Sequence, residues 1–69
     1  MYRIVVTREN GQEDTIYMSE SRHDTLAYYN DMLYLMRRRK LGWREIVLIN
    51  EDKAIQSGLG SVIEENANG

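Results

Sequence analysis

The stretch YRIVVTRENGQEDTIYMS, residues 2–19, decides how the chain begins to fold. Two runs rich in β-branched and aromatic side chains, YRIVVT (2–7) and TIYMS (15–19), flank RENGQED, whose Asn10-Gly11 pair is a strong hairpin signal. The apolar pattern fixes the loop length. With a two-residue loop, Ile16 and Met18 fall on the opposite sheet face from Ile4 and Val6. A three-residue loop, Glu9-Asn10-Gly11, sets Arg8 opposite Gln12, Ile4 opposite Ile16 and Tyr2 opposite Met18. This is a type I turn followed by Gly11 in the left-handed conformation, which forms a bulge. It gathers Tyr2, Ile4, Val6, Ile16 and Met18 on one face, and a slip of one residue would scatter them. The other face then carries Arg3, Val5, Thr7, Thr15 and Tyr17.

The longest periodic segment follows. In SESRHDTLAYYNDMLYLMRRRK, Ser19 and Ser21 are candidate N-caps, and Ser21 with Asp24 makes a short-armed version of the capping box. At about 100° per residue, Leu26, Tyr28, Tyr29, Met32, Leu33, Leu35 and Met36 fill an arc of roughly 180°. Asn30, Asp31, Arg37 and Arg38 lie opposite, with Tyr34 among them. The helix is expected to stop near Lys40 or Leu41, with Gly42 as its left-handed terminating residue.

WREIVLIN (43–50) reads as a third strand whose unbroken apolar run, Ile46 to Ile49, predicts burial on both faces. NEDK is a turn, and AIQ is either a short fourth strand or the start of a tail. The expected architecture is α+β, in the order ββαβ. It has a small antiparallel sheet of three or four strands, order 2-1-3, with one long helix on one face. Residues 1–56 form this single domain, and 57–69 are a flexible or partly ordered tail. An apolar patch around Val5 and Tyr17 is then left uncovered on the back of the sheet, the kind of patch that marks contact surfaces.

Composition narrows the functions open to the chain. Sixty-nine residues bury only about 60% of the surface their unfolded chain exposes, so a core of this size is marginal. There is no cysteine and one histidine, His23. This excludes disulfides, thiolate zinc sites, cysteine nucleophiles and a multi-histidine metal site within one chain. Association between copies is the expected way to stabilise such a domain. No secretion-signal pattern opens the sequence, and the longest apolar run, IVLI, cannot span a bilayer. A soluble cytoplasmic protein with no membrane role is expected. The net charge of −2 argues against a dedicated polyanion binder.

Five local clusters call for a reading. Arg37, Arg38, Arg39, Lys40 and Arg44 place five cations within eight residues, beside Trp43. They could grip phosphates while Trp43 stacks on a base. The helix macrodipole also favours cations in a last turn, and successive helical residues diverge by about 100°, so the group is first a helix ending. Tyr34, about 160° from Met36 around the helix, stands on the polar side with Arg38 and suits a protein contact. Ser21, His23 and Asp24 have the residue types of a hydrolase triad, but triad members converge from separate elements, and these three are nearly adjacent. The acids Glu9, Glu13 and Asp14 at the hairpin tip, and Glu51 with Asp52, lack the apolar cleft that splits carboxylate pKa values. SGLGS (57–61) lacks the lysine and third glycine of a phosphate loop.

The expectation is a small non-enzymatic protein–protein interaction protein of regulatory or inhibitor type, self-associating as a homodimer, without cofactor or metal. Its size also suits a phage-encoded protein. Its partner-binding residues are Val5, Tyr17, Tyr34 and Arg38. The alternative is a nucleic-acid-binding protein that uses Arg37, Arg38, Arg39, Lys40, Trp43 and Arg44.

Overall fold

The computed structural model describes residues 1–38 and 41–60. The elements follow as β1 (Tyr2–Arg8), β2 (Glu13–Ser19), α1 (Arg22–Arg37), β3 (Trp43–Asn50) and β4 (Lys53–Leu59). The strands form one antiparallel sheet in the order β2-β1-β3-β4, with the helix on one face. The α+β class and the 2-1-3 order agree with the sequence pattern. The possible fourth strand is real and pairs with β3, taking in residues 57–59 that the sequence assigns to a tail. The rest of that tail, 61–69, lies outside the described residues.

The first hairpin closes as its residues dictate. Arg8 N donates to Gln12 O at 2.7 Å and Gly11 N to Arg8 O at 2.9 Å, with Gly11 at φ +94°. This is the expected three-residue loop, and the side chain of Asn10 accepts from Gln12 N at 2.9 Å. Farther from the tip the register departs from expectation. Val5 faces Thr15, but Ile4 faces Tyr17, Arg3 faces Met18 and Tyr2 faces Ser19. A bulge has absorbed one residue of β2 between the two halves.

Its consequence is a swap of faces. Ile16 and Tyr17 both pack against the core, and the Tyr17 ring stacks on Tyr28 of α1 with centroids 4.4 Å apart and planes 15° from parallel. Met18, expected under the helix, turns to the back of the sheet and is 59% exposed. The larger aromatic surface gains more from burial than the flexible thioether, and the ring pair adds a specific contact. Bulges accommodate such a change of side at the cost of one ladder position.

Helix α1 starts where Ser21 caps it. The Ser21 hydroxyl accepts from Asp24 N at 3.1 Å, while Thr25 Oγ1 donates to Ser21 O at 2.7 Å. Ser19 is used as well, accepting from Ser21 N at 3.0 Å. The helix ends earlier than its periodicity predicts, with Arg38 as C-cap. Gly42 does adopt φ +69°, but it lies in the connection leading into β3 rather than next to the helix end.

The core lies between helix and sheet. Ile4, Val6, Ile46 and Leu48 are fully or almost fully buried, with Val6 opposite Ile46 and Ile4 opposite Leu48 across β1 and β3. Tyr29 and Met36 close it from the helix, and Leu26, Tyr28, Met32, Leu33 and Trp43 surround it. The second hairpin turns on Glu51 and Asp52, both with left-handed φ (+52° and +69°). Their carboxylates reach back to β1: Glu51 to the Met1 amine at 2.7 Å, and Asp52 to Arg3 at 3.2 Å.

Candidate interaction site

The face of the sheet away from α1 is built by alternation along each strand. Three rows of side chains cross it. The middle row reads Thr15, Val5, Val47 and Ser57 from β2 to β4. One flanking row reads Glu13, Thr7, Glu45 and Leu59, and the other Met18, Arg3, Ile49 and Ala54. Val5, Val47 and Ile49 are half-buried by their neighbours, while Met18 and Leu59 project. The face is therefore apolar along its centre, acidic toward one end of β1 and β3, and basic at Arg3 toward the other.

Of the expected residues, Val5 is on this face, and Tyr17 is not. The bulge in β2 took Tyr17 to the helix side and supplied Met18 in its place. Val47 and Ile49 could be located from the doubly apolar run of β3. Leu59 is not marked in the sequence, because the Ser57-Gly58 pair before it has weak strand character. Met18 needed knowledge of the bulge, for which the sequence carries no glycine or other marker.

A second surface lies along one flank of α1. Asn30, Leu33, Tyr34, Arg37 and Arg38, at helical spacing, line a shallow groove of about 300 Å³. Tyr34 is 57% exposed. The Arg38 guanidinium lies 5.3 Å from the Tyr34 ring centroid, and its Nε donates to the Tyr34 hydroxyl at 3.3 Å. One turn of helix thus holds both side chains as a pair, a cation over an aromatic face. Arg37 takes another direction: its Nη2 comes within 3.5 Å of the space beside Gly58 of β4.

No family model, curated protein or solved structure matches this chain. The basic cluster is divided among several directions. Arg37 leans toward β4, Arg38 covers Tyr34, and Arg44 is exposed at a bulge opposite the end of β1. Arg39 and Lys40 lie outside the described residues. Trp43 is half-buried against the core, so much of its ring is already in contact with protein. Ser21 and Asp24 are joined in the helix cap. Among the described residues no three His, Cys, Asp or Glu side chains are grouped to hold a metal ion. No helix among them is long and apolar enough to cross a membrane.

Burial perturbs one phenol in this region. Tyr29, 2% exposed, has its pKa raised above the usual tyrosine value because its anion would lose water, and Arg37 partly counteracts the shift. Tyr29 is a core residue with its hydroxyl toward Gly58, not a group presented to a substrate.

Proposed function

We propose that the chain is a small, non-enzymatic binding protein that associates with a second copy of itself and with another protein. The observation that carries this reading is the one-sided sheet. Its helix covers one face, and the other offers Val5, Val47, Ile49, Met18 and Leu59 to a partner. For a domain of this size, covering such a face supplies apolar burial that one copy lacks. Tyr34 and Arg38, on the helix side, form a second contact surface of the aromatic and arginine type that dominates many interfaces. Sedimentation velocity across a wide concentration range tests the self-association, with Val47→Asp as the variant that dissociates it. A native protein that remains a monomer at several hundred micromolar would sink the proposal.

Nucleic-acid binding is the second reading, favoured only by the nearness of Arg37, Arg38 and Arg44 to the same end of the domain. It requires Arg38 to leave Tyr34, or bases to stack elsewhere. Anisotropy titrations with labelled single- and double-stranded DNA and RNA test it. Affinity that falls steeply with salt and disappears in Arg37→Ala, Arg38→Ala supports it. No binding at low salt eliminates it.

A further inference from the structure

The open face is self-complementary, and we propose that two copies pack back to back across it about a two-fold axis running perpendicular to the strands. This inference rests on the self-association proposed above and specifies its geometry. Edge pairing is the other route by which sheet proteins join, but both edge strands here are interrupted. The register skips Ile16 in β2 and Ile55 in β4, and such mid-strand bulges spoil an edge as a template. The helix already covers the opposite face. Among the described residues, the open face is what remains.

Charge placement then selects the axis. An axis along the strands lays each row on its own counterpart. Arg3 then meets the neighbourhood of Arg3 from the second copy, and Glu45 meets that of the second Glu45. Both are like-charge contacts, which disfavour an interface. An axis across the strands instead exchanges the two flanking rows and keeps the columns. Arg3 of one copy lies over Thr7 of the other, with Glu13 and Glu45 in the columns on either side, about 4.8 Å away laterally. The arrangement occurs twice, once at each end of the interface. Between the two ends, Val5 and Val47 meet their own symmetry mates, and Leu59 meets Ala54. A two-fold contact must match a patch with itself; these rows do so at Val5, Val47 and Leu59, while Glu13 lies over Met18 and Glu45 over Ile49 of the other copy, each with Arg3 one column away.

The area is modest. Four columns about 4.8 Å apart and three rows about 6.8 Å apart project to roughly 400 Å² per copy, so the pair buries on the order of 1,000 Å² in all once side-chain relief is included. That is the lower end for a specific interface and fits a reversible dimer in the micromolar range. The charged ends supply the choice of partner and orientation more than they supply affinity.

Charge reversal tests the geometry in the full-length chain by sedimentation velocity, with circular dichroism to verify folding. Arg3→Glu and Glu45→Arg should each weaken the dimer at least ten-fold. Arg3→Glu combined with both Glu13→Arg and Glu45→Arg should return it to within about three-fold of the native value. Asp52→Asn removes the pairing of Arg3 within its own chain and should leave the dimer unchanged, which separates that contact from the intermolecular one. If the chain dimerises but neither reversal alters it, the back-to-back geometry is wrong while self-association stands. A chain that is monomeric throughout overturns both. Weakening by each reversal without restoration in the triple variant also overturns the charge exchange.

Discussion

Two glycines near the end of the last strand receive the same substitution with different expected results. A Cβ on Gly58 would lie 2.5 Å from Leu33 Cδ1, whereas a Cβ on Gly60 would lie 2.5 Å from the backbone oxygen of Trp43 and 3.3 Å from Met36 Cγ. Neither glycine has a positive φ, so the difference is one of space. At Gly58 the obstacle is the tip of a side chain that can turn, at about 0.5–1.5 kcal/mol for an imperfect rotamer. Loss of glycine's freedom in the unfolded chain returns about 0.4–1 kcal/mol. Gly58→Ala should therefore change stability by less than about 1 kcal/mol. At Gly60 the obstacle is a main-chain carbonyl inside the sheet. Moving away from it also strains the bond from Gly60 N to Arg44 O, 2.7 Å in the native fold. Overpacking of about 1–3 kcal/mol plus about 1 kcal/mol of hydrogen bond, less the same return from the unfolded chain, gives roughly 1–4 kcal/mol for Gly60→Ala. In a domain of this length that lowers the Tm by roughly 4–30 °C. Urea and thermal unfolding followed by far-ultraviolet circular dichroism measure both variants. Equal costs, or a larger one at Gly58, would refute the claim that the last turn of β4 is limited by backbone contact.

Other outcomes follow from the same packing. Tyr17→Ala removes a ring stacked on Tyr28 and should cost about 2–3 kcal/mol, against under about 0.5 kcal/mol for Met18→Ala on the open face. The reverse order in urea midpoints would restore the unbulged register. Ser21→Ala removes the cap of α1 and should cost about 0.5–2 kcal/mol in the same assay, with Ser21→Asp largely retaining the native value. Tyr29 holds its proton to higher pH when folded than when unfolded. The unfolded chain therefore binds fewer protons above about pH 10, and stability must fall as pH rises through that range. Comparing urea midpoints at pH 8 and above pH 10, Tyr29→Phe should lose less than the native protein. An equal loss would assign alkaline unfolding to other groups.

The parts of the fold that could be read directly are those governed by local chemistry. Gly11 and Asn10 specify the first turn, Ser21 specifies the helix start, and alternation in β1 separates Ile4 and Val6 from Val5. What escaped was decided between elements. The sequence around Ile16 and Tyr17 is an ordinary strand, and only the presence of Tyr28 on a helix crossing above gives the bulge its advantage. Thr25 shows the same limit: a polar residue off the apolar list, it is fully buried because its hydroxyl is bonded to Ser21 O. β4 escaped because its own residues, KAIQSGL, have weak strand character. Its pairing is provided by β3 and by the turn at Glu51 and Asp52, whose carboxylates are held by Met1 and Arg3. The candidate surface was legible at Val5 and in β3, and illegible at Met18 for the reason that misplaced Tyr17.

The bulge in β2 also divides the first hairpin mechanically. Between tip and bulge, pairing is set by the Glu9-Asn10-Gly11 loop. Beyond it, pairing is set by the aromatic contact with α1. Each half keeps its own reference point, so the discontinuity behaves as an expansion joint between an outer ribbon and an anchored base. Drift in the loop is therefore absorbed before it reaches the Tyr17–Tyr28 contact. The exposed loop of this hairpin, residues 9–12, is a segment suited to carry new residues, whether acquired by evolution or grafted by design.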